Sequence, residues 1–564
     1  MRQELRALVT MKPPSLTCQV PGNRLQVARR IPGTRSADVH GSRLLPAIWT
    51  ADIFRIAAPS ADPFHRQEAS VTARESDVVI VGGGSAGAVL AARLSDKGSR
   101  NVTLVEAGPV FPPDAYPFPV ASSAFIGRAT GYDWGYTADG ECTHLPRGKM
   151  IGGSSAMNGT VAMRALPADF ERWSRKGIRG WSWTDVLPDY IRLERADAPC
   201  MEHRGRGGPL PVHQLRRGEL SHIQACFLDA ARERGYPPAD FNGSNPRGTA
   251  CYPVNAVHGR RVNTAMAYLT AHVRARPGLR IKSHALVDRV LLHKRRVTGV
   301  LLADGRTLRA PEVILSAGTY GSAAVLLRSG IGPPRHLRHL EIPVVQALPV
   351  GTAYRDHPLL YLPCLAWPWT AGRAESVAAA AIWTASPSAP SGELDTHIGI
   401  MQPVAPVPVP LFTLIVGITR PHSLGTITLP SRHPAVAPRI APRWLSDERD
   451  RERMAQAVRL ADRLTHTPPL SAAIASRFHP RLADMSPRHL RAHLKASVRT
   501  FHHPTSSAPM GAEDDPQAVV DALGRVHGIR GLRVIDAAIF PDTPSAPLNL
   551  TVVMAAEHLA ETLR

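Results

Sequence analysis

A glycine-rich turn that directly follows an apolar run constrains the fold of this 564-residue chain more than any other feature. The run Asp77-Val-Val-Ile-Val81 is rich in β-branched side chains, which is typical of a strand buried in a parallel sheet. Gly82, Gly84 and Gly87 come next and make the pattern G-x-G-x-x-G. Residues 88–94 then have the composition of a helix. This order predicts a dinucleotide-binding unit.

Each part of this unit has its own physical role. The first glycine permits the tight turn, the second lets backbone approach a pyrophosphate, and the third lets helix and strand pack closely. Ser85 and Ala86 lie at the helix N-terminus, where N–H groups and the dipole favour phosphate. Residues 101–105 predict a second strand that ends at Glu106, 19 residues after Gly87, where an acid can bind a ribose hydroxyl. The alternative for Glu106 is a surface helix-cap acid, and the pattern leaves NAD and FAD both open.

The charge of the chain is unusual, with a formal net charge of +21 at pH 7. Such an excess could attract anionic lipid, nucleic acid or acidic substrates. It could also follow from an arginine-rich composition of the kind that GC-rich genomes give. We favour the second interpretation because no compact run of like charges occurs, and neither does a zinc-finger or RNP spacing. We therefore expect no nucleic-acid partner. No stretch approaches 18 apolar residues, so we expect no transmembrane segment.

Residues 1–75 differ from the remainder of the chain. They carry 11 Arg or Lys against 6 acids and no sustained apolar period. We interpret them as a disordered tail or an extension from a start assigned too far upstream, and an organellar leader is the alternative. The six cysteines are widely spaced, so we expect neither a disulfide framework nor a metal site. This usage fits a cytoplasmic location, and a peripheral position at a membrane stays open.

Two longer motifs identify a family. The run Gly148-Lys-Met-Ile-Gly-Gly-Ser-Ser-Ala-Met-Asn158, continued to Glu171, and the segment 318–332 both resemble signatures of the glucose–methanol–choline (GMC) oxidoreductases. The resemblance runs from about Asp77 to Leu563, and Ala323 departs from the usual Pro or Ser. It implies that FAD is the cofactor.

The C-terminal part of the resemblance implies the catalytic residues. The run Phe501-His-His-Pro-Thr-Ser-Ser-Ala-Pro-Met-Gly511 is similar to the family motif H-P-x-G-T-x-x-M-G, with serines replacing its Gly and Thr. His503 takes the position of the catalytic histidine, and Asn549 that of the second catalytic residue. His502 is interpreted as structural. The same holds for His357, in a loop that resembles G-x-N-L-x-D-H-P.

The resemblance also implies the residues that contact FAD and how FAD is held. Some relatives carry a covalently linked histidine where this chain has Met157, so non-covalent FAD is expected. Thr551 is expected to start the final helix, whose positive end points towards the flavin. Beyond the glycine-rich turn and Glu106, the expected contacts are Gly152, Asn158, Val287, Asp536, Ala537 and Thr551.

The implied fold class is α/β (α+β overall), with a Rossmann-like FAD-binding domain and a substrate domain built on an antiparallel sheet. The FAD-binding domain is expected to comprise residues 76–205, 280–350 and 525–564. The substrate-binding domain is expected to comprise residues 206–279 and 351–524. Within it, Thr426–Leu429 is expected to be a strand of the sheet that covers the flavin.

The implied activity is FAD-dependent oxidation of an alcohol, expected to be primary, to an aldehyde by hydride transfer to flavin N5. His503 would act as base, and Asn549 would orient the alcohol oxygen. The partners are a small-molecule alcohol and an electron acceptor, which is O₂, a quinone or another carrier. The resemblance leans to choline-dehydrogenase-like members without identifying the alcohol. A redox-neutral lyase or a flavin photoenzyme on the same fold is the alternative, and a non-enzymatic binding module is disfavoured.

Overall fold

The computed structural model describes residues 76–563 except 97, 99, 141–142, 198–201 and 405–408. All described residues belong to one compact unit. The interpretation of residues 1–75 as a tail or misassigned extension lies outside the described residues.

A five-stranded parallel sheet forms the centre of the first layer. Its three middle strands are almost wholly buried and rich in β-branched residues, as is usual for parallel sheets that are covered on both faces. Helix Ser85–Leu94 leaves directly from the first strand, and residue 87 is glycine because an added Cβ would lie 1.9 Å from the Gly82 carbonyl oxygen. In spatial order the strands are Leu532–Val534, Glu312–Leu315, Val78–Val81, Val102–Val105 and Leu279–Lys282.

A seven-stranded antiparallel sheet forms the second layer. One face packs on helices His222–Glu233, Glu448–Thr465 and Pro487–Ser497 through a separate hydrophobic core. The other face, which includes Leu359 and Ile415, turns towards the parallel-sheet layer. The strands are Gly248–Cys251, Pro358–Ala366, Ala378–Thr384, Thr396–Met401, Leu411–Ile418, Ile474–Arg477 and Arg499–Thr500.

Smaller elements complete the described fold. The short sheets comprise Glu194–Ala196, Leu210–Gln214 and Pro253–Val254; Ala256–Val257 and Arg260–Arg261; Val287–His293, Arg296–Leu302 and Thr307–Arg309; Ile331–Gly332 and Gln346–Ala347; and Thr426–Thr428 and Arg439–Ala441. The other α-helices are Phe118–Ala121, Pro167–Arg175, Trp183–Leu193, Thr264–Tyr268, Ala271–Arg274, Gly318–Arg328, Pro334–His339, Pro368–Ala371, Leu470–Ala473 and Leu548–Glu561. The 3₁₀ turns are Gly127–Thr130, Gly153–Ala156, Arg217–Glu219, Leu482–Asp484 and Ala537–Ile539.

The predicted fold class is confirmed: a Rossmann-like layer is combined with a layer built on an antiparallel sheet. The boundaries assigned to the two domains stay a prediction. One strand assignment is wrong, because Thr426–Thr428 pairs with Arg439–Ala441 in a separate two-stranded sheet. The start of the final helix is also wrong by three residues, since that helix begins at Leu548 rather than at Thr551. Within the described residues, no helix is both long and apolar enough to cross a bilayer.

Candidate active site

A cavity of about 560 Å³ lies where the carboxyl ends of the parallel strands face the antiparallel sheet. Eleven of the fourteen predicted site residues line it. Those eleven are Gly82, Gly84, Ser85, Ala86, Glu106, Asn158, Val287, His503, Asp536, Ala537 and Asn549.

The glycine-rich turn shapes one end of the cavity. Gly84 caps helix Ser85–Leu94 without a side-chain hydrogen bond, and no acid lies in the first turn. The N–H groups there are consequently directed at the cavity without a competing anion, as a phosphate site requires. The turn also approaches the loop at Gly153 closely, because a Cβ added at Gly153 would lie 2.7 Å from Gly84 Cα.

Glu106 lies at the same end of the cavity, just after strand Val102–Val105. Its side chain is 5% exposed, and its two carboxylate oxygens accept hydrogen bonds from the backbone N–H groups of Gly83 and Gly108, both at 2.8 Å. Burial raises the pKa of Glu106, and those N–H groups oppose the rise. Each oxygen keeps a lone pair that can accept from a ribose hydroxyl.

Asp536 follows strand Leu532–Val534, which is an edge strand of the same parallel sheet. One carboxylate oxygen accepts from Gly318 N at 2.8 Å and Ser322 Oγ at 2.6 Å, and the other from Ala538 N at 2.8 Å. Burial raises the pKa of Asp536. The carboxylate therefore joins the signature segment 318–332 to the end of strand Leu532–Val534 at the cavity wall, where Ala537 adds a small side chain.

The loop after residue 148 closes a further side of the cavity. Asn158 lines it, and its amide oxygen accepts from Arg261 Nη1 at 2.9 Å. The Arg261 side chain is fully buried and also donates to the backbone carbonyl of Phe125, so it fixes the loop. Met157 lines the cavity and offers a thioether, which has no imidazole nitrogen for a covalent bond to flavin.

Three predicted cofactor residues lie off the cavity wall. Gly87 packs the helix against the strand, which is the role expected of the third glycine. Gly152 has a φ of +93° and donates its N–H to the Gly83 carbonyl at 2.7 Å, so it positions the turn from behind. Thr551 is fully buried, and its hydroxyl shares a 2.8 Å hydrogen bond with the Tyr190 hydroxyl.

The chemistry of the cavity wall fits FAD. A phosphate would meet free N–H groups at the helix start, and a ribose would meet Glu106. The positive end of helix Leu548–Glu561 also reaches the wall through Leu548 and Asn549, and that helix has no acid in its first turn. Such a helix end stabilises negative charge in the cavity.

His503 faces the cavity from the segment that follows strand Arg499–Thr500. Its backbone N–H donates to Asp356 Oδ1 at 2.8 Å, and its ring stacks on Phe501 with a 4.7 Å centroid separation. Burial, followed by the charges of His357, His502 and Arg147, lowers the pKa of His503 well below its usual range. The imidazole is therefore neutral near pH 7 and can accept a proton.

A second histidine, His357, lies behind His503 and contacts its ring. The two Nδ1 atoms are 3.0 Å apart, so one ring must donate and the other must accept. His357 is fully buried, and burial lowers its pKa to about 3. The loop interpreted as structural thus contacts the expected base directly. Sequence reasoning found the loop through its D-H-P pattern and missed this role.

Asn549 is held by the glycine-rich turn. Its amide oxygen accepts from the Ser85 hydroxyl at 2.8 Å, across 464 residues of sequence. Its amide nitrogen is buried without a hydrogen-bond partner among the described residues. A buried donor of this kind is costly unless something in the cavity accepts from it. The amide N–H therefore points to an oxygen acceptor in a bound ligand.

Sequence reasoning also missed other polar groups in the cavity wall. Arg147 lines the cavity and donates to the His502 carbonyl at 2.9 Å, so it places a positive charge beside His503. Burial and Arg147 lower the pKa of His502 to about 3. Tyr252 lines the cavity and shares a 2.5 Å hydrogen bond with His397 Nε2. No motif signals these contacts, because they depend on packing between distant segments.

Comparisons with known proteins agree with this site. The GMC oxidoreductase family model matches residues 76–359 with its N-terminal part and residues 421–556 with its C-terminal part. The mitochondrial choline dehydrogenase of Mus musculus is 33% identical over 89% of this chain and 91% of its own length. The oxygen-dependent choline dehydrogenase of Yersinia pseudotuberculosis is 35% identical over 87% and 94%.

Solved structures give the same result. Pyridoxine 4-oxidase from Mesorbium loti is 30% identical, covers 86% of this chain and 99% of its own, and superposes with a TM-score of 0.79. A formate oxidase that is 22% identical, with a TM-score of 0.77, shares the fold. The predicted resemblance is confirmed. The chain belongs to the GMC oxidoreductase family and is an FAD-dependent oxidoreductase that acts on CH–OH donors.

Proposed function

We propose that this protein oxidises a primary alcohol to an aldehyde, with His503 as the base that takes the hydroxyl proton. The observation that carries the proposal is the pair of groups on the cavity wall, a neutral imidazole at His503 and an unpartnered amide N–H at Asn549. When bound, FAD supplies the acceptor for the hydride that leaves the carbon. The protein then has to move one proton and orient one oxygen.

His503 suits the proton step because its surroundings keep it neutral. A base that is already protonated cannot accept the hydroxyl proton, and the lowered pKa prevents that near pH 7. The ring is oriented by Asp356 through its backbone N–H and by His357 through Nδ1. With Nδ1 bonded to His357, Nε2 is the nitrogen left to face the alcohol.

Asn549 suits the orientation of the oxygen. Ser85 holds the amide oxygen, so the amide N–H is directed away from Ser85 and is free to donate to the alcohol oxygen. The N-terminus of helix Leu548–Glu561 adds a partial positive charge beside it. Negative charge that develops on oxygen as the proton leaves is stabilised by both.

We also infer that FAD is bound without a covalent link to the position of Met157, since a thioether offers no equivalent nucleophile. An electron acceptor, which is O₂, a quinone or another carrier, would then be needed, because each turnover would leave two electrons on bound FAD. A cytoplasmic location stays a prediction.

Anaerobic mixing of the FAD-loaded protein with a panel of primary alcohols tests the proposal. Loss of the visible flavin band, with one aldehyde formed per flavin, is the expected result. An unbleached flavin with every alcohol would refute alcohol oxidation and would favour the redox-neutral alternatives. Reoxidation with O₂ and, separately, with a quinone then distinguishes an oxidase from a dehydrogenase.

A further inference from the structure

The charges around the cavity restrict the alcohol that it can accept. Among the described residues that line it, Glu106 and Asp536 are the two carboxylates. Both follow strands of the parallel sheet, and both oxygens of each accept backbone N–H groups. Glu106 lies at the nucleotide-binding end of the cavity, and the Asp536 carboxylate is already held by Gly318, Ser322 and Ala538. Neither carboxylate is therefore free to act as a counter-ion for a cationic substituent near His503.

The positive charge in the cavity wall also disfavours a cationic alcohol. Arg147 lines the cavity and enters no ion pair among the described residues, whereas Lys149, which also lines it, lies in the field of Glu106 at the nucleotide-binding end. Arg147 is bonded to the carbonyl of the residue before His503, so its charge lies close to the proposed base. The acid behind that base, Asp356, does not line the cavity and already lies in the field of Arg147. A cationic alcohol would meet net repulsion.

The face of the antiparallel sheet that covers the cavity is apolar. Leu359 and Tyr361 lie two residues apart on one strand and therefore share a face, and Ile415 lies opposite Tyr361 on the next strand. Met401 and Ala378 continue the wall across the following two strands. All five line the cavity, so the substituent of a bound alcohol contacts hydrocarbon on this side. Such a wall favours an uncharged group over an ion by the cost of desolvating the ion.

The aromatic rings on this side do not form a cage for a quaternary ammonium group. Such a cage needs several ring faces turned towards the cation. Phe501 stacks on His503, and its ring lies against Gly417, where a Cβ would be 2.9 Å from it. Tyr252 stacks on His397 with a 5.7 Å centroid separation. Tyr361, which is 42% exposed at the mouth of the cavity, remains the only one of these three rings without such a stacking partner.

We infer that the site takes an uncharged alcohol with an apolar substituent and discriminates against quaternary ammonium alcohols. This inference rests on the proposed function and adds a substrate class to it. Several relatives of this chain are named choline dehydrogenases. The inference therefore assigns this protein a substrate class that excludes choline.

A matched pair of alcohols tests the inference on the full-length, FAD-loaded protein. Choline and 3,3-dimethyl-1-butanol have the same shape and differ in the charge of one central atom. We expect the neutral alcohol to reduce the flavin with a second-order rate constant about 100-fold above that of choline, since a cation in this wall would be unpaired. Binding constants from the perturbed spectrum of the oxidised flavin answer the same question without turnover.

A pair of variants locates the discrimination in the wall. Met401→Glu adds a carboxylate to the cavity wall with little change in side-chain length. It should lower the ratio of the rate constant for 3,3-dimethyl-1-butanol to that for choline by about tenfold. Leu411→Glu adds the same charge to the same sheet outside the cavity, where the side chain is 44% exposed, and should leave the preference unchanged. If both variants lower this ratio equally, the cavity wall is not what discriminates against choline.

The remaining outcomes separate the two proposals. A rate constant or binding constant for choline within tenfold of that for its neutral counterpart, or better, overturns the substrate class while alcohol oxidation stands. A flavin that no alcohol reduces, benzyl alcohol and pyridoxine included, overturns the proposed function and the substrate class together.

Discussion

The contact between His357 and His503 leads to a prediction about which nitrogen of the base is free. Burial lowers the pKa of both rings, so both are neutral near pH 7 and each carries one N–H. Their Nδ1 atoms are 3.0 Å apart. If His357 donates, His503 has its proton on Nε2 and cannot accept another there. If His503 donates, Nε2 has a free lone pair and His503 is a competent base.

The surroundings of His357 favour the second arrangement. His357 Nε2 makes no hydrogen bond among the described residues, but the backbone of Thr419 and of Pro544 raises the pKa of His357 slightly against the effect of burial, so these groups interact more favourably with a ring that carries a proton on Nε2. A proton held on Nε2 of His357 leaves Nδ1 as an acceptor. His357 is then a positioning residue, because it selects the tautomer of His503 without touching the alcohol.

Replacing His357 by Phe removes the acceptor and leaves a buried N–H on His503. An unsatisfied buried donor costs about 1–3 kcal/mol, which favours the inactive tautomer by that amount. Flavin reduction should therefore slow by roughly 5- to 150-fold, at about 1.4 kcal/mol per factor of ten. His357→Asn keeps an oxygen acceptor and should recover most of the rate.

Anaerobic stopped-flow reduction by one saturating alcohol measures this effect, with FAD content and Tm recorded for each variant. His397→Phe is the matched control, since His397 is equally buried but bonds to Tyr252 rather than to His503. A Phe variant at position 357 that retains FAD and reduces within twofold of the parent protein would refute the tautomer argument. So would an Asn variant as slow as the Phe variant.

Four further predictions follow from the same geometry. His503→Ala should lower the rate of flavin reduction by about 10²–10⁴-fold at unchanged FAD content, measured in the same assay; equal rates would remove the base. Because the pKa of His503 is held well below 6.5, the base is lost only as pH falls through that lowered value, and the parent's reduction rate should be flat from about pH 8 to about pH 6; a kinetic pKa near 6.5 would contradict this. Gly87→Ala places a methyl group 1.9 Å from the Gly82 carbonyl oxygen, so bound FAD per chain should fall sharply in purified protein, whereas Gly207→Ala, which meets nothing within 4 Å, should not lower it. Acid or heat denaturation should release all FAD into the supernatant, since Met157 offers no covalent attachment; flavin absorbance in the precipitate would show a link elsewhere.

The first strand, the glycine turn and the helix could be predicted because their signals are local. Steric needs of one turn require glycine at 82 and 87, and the apolar run before them suits a strand that is buried on both faces. The error at Thr426–Leu429 arose because sheet membership depends on non-local contacts. Alternation predicts a strand but carries no information about its partner, and here the partner is Arg439–Ala441, outside the large sheet. Sheet membership is a property of the whole fold.

The histidines show the same limit within the site. The chain has 24 of them, and a motif singled out His503 while leaving His357 as structural. These two residues are 146 positions apart, and their contact exists because strand Arg499–Thr500 pairs with strand Pro358–Ala366. The Asp356 side chain then accepts from the His503 backbone, so one loop holds both the backbone and the ring of His503. The motif singled out His503, but only the sheet register shows which buried groups surround its ring and would select its tautomer.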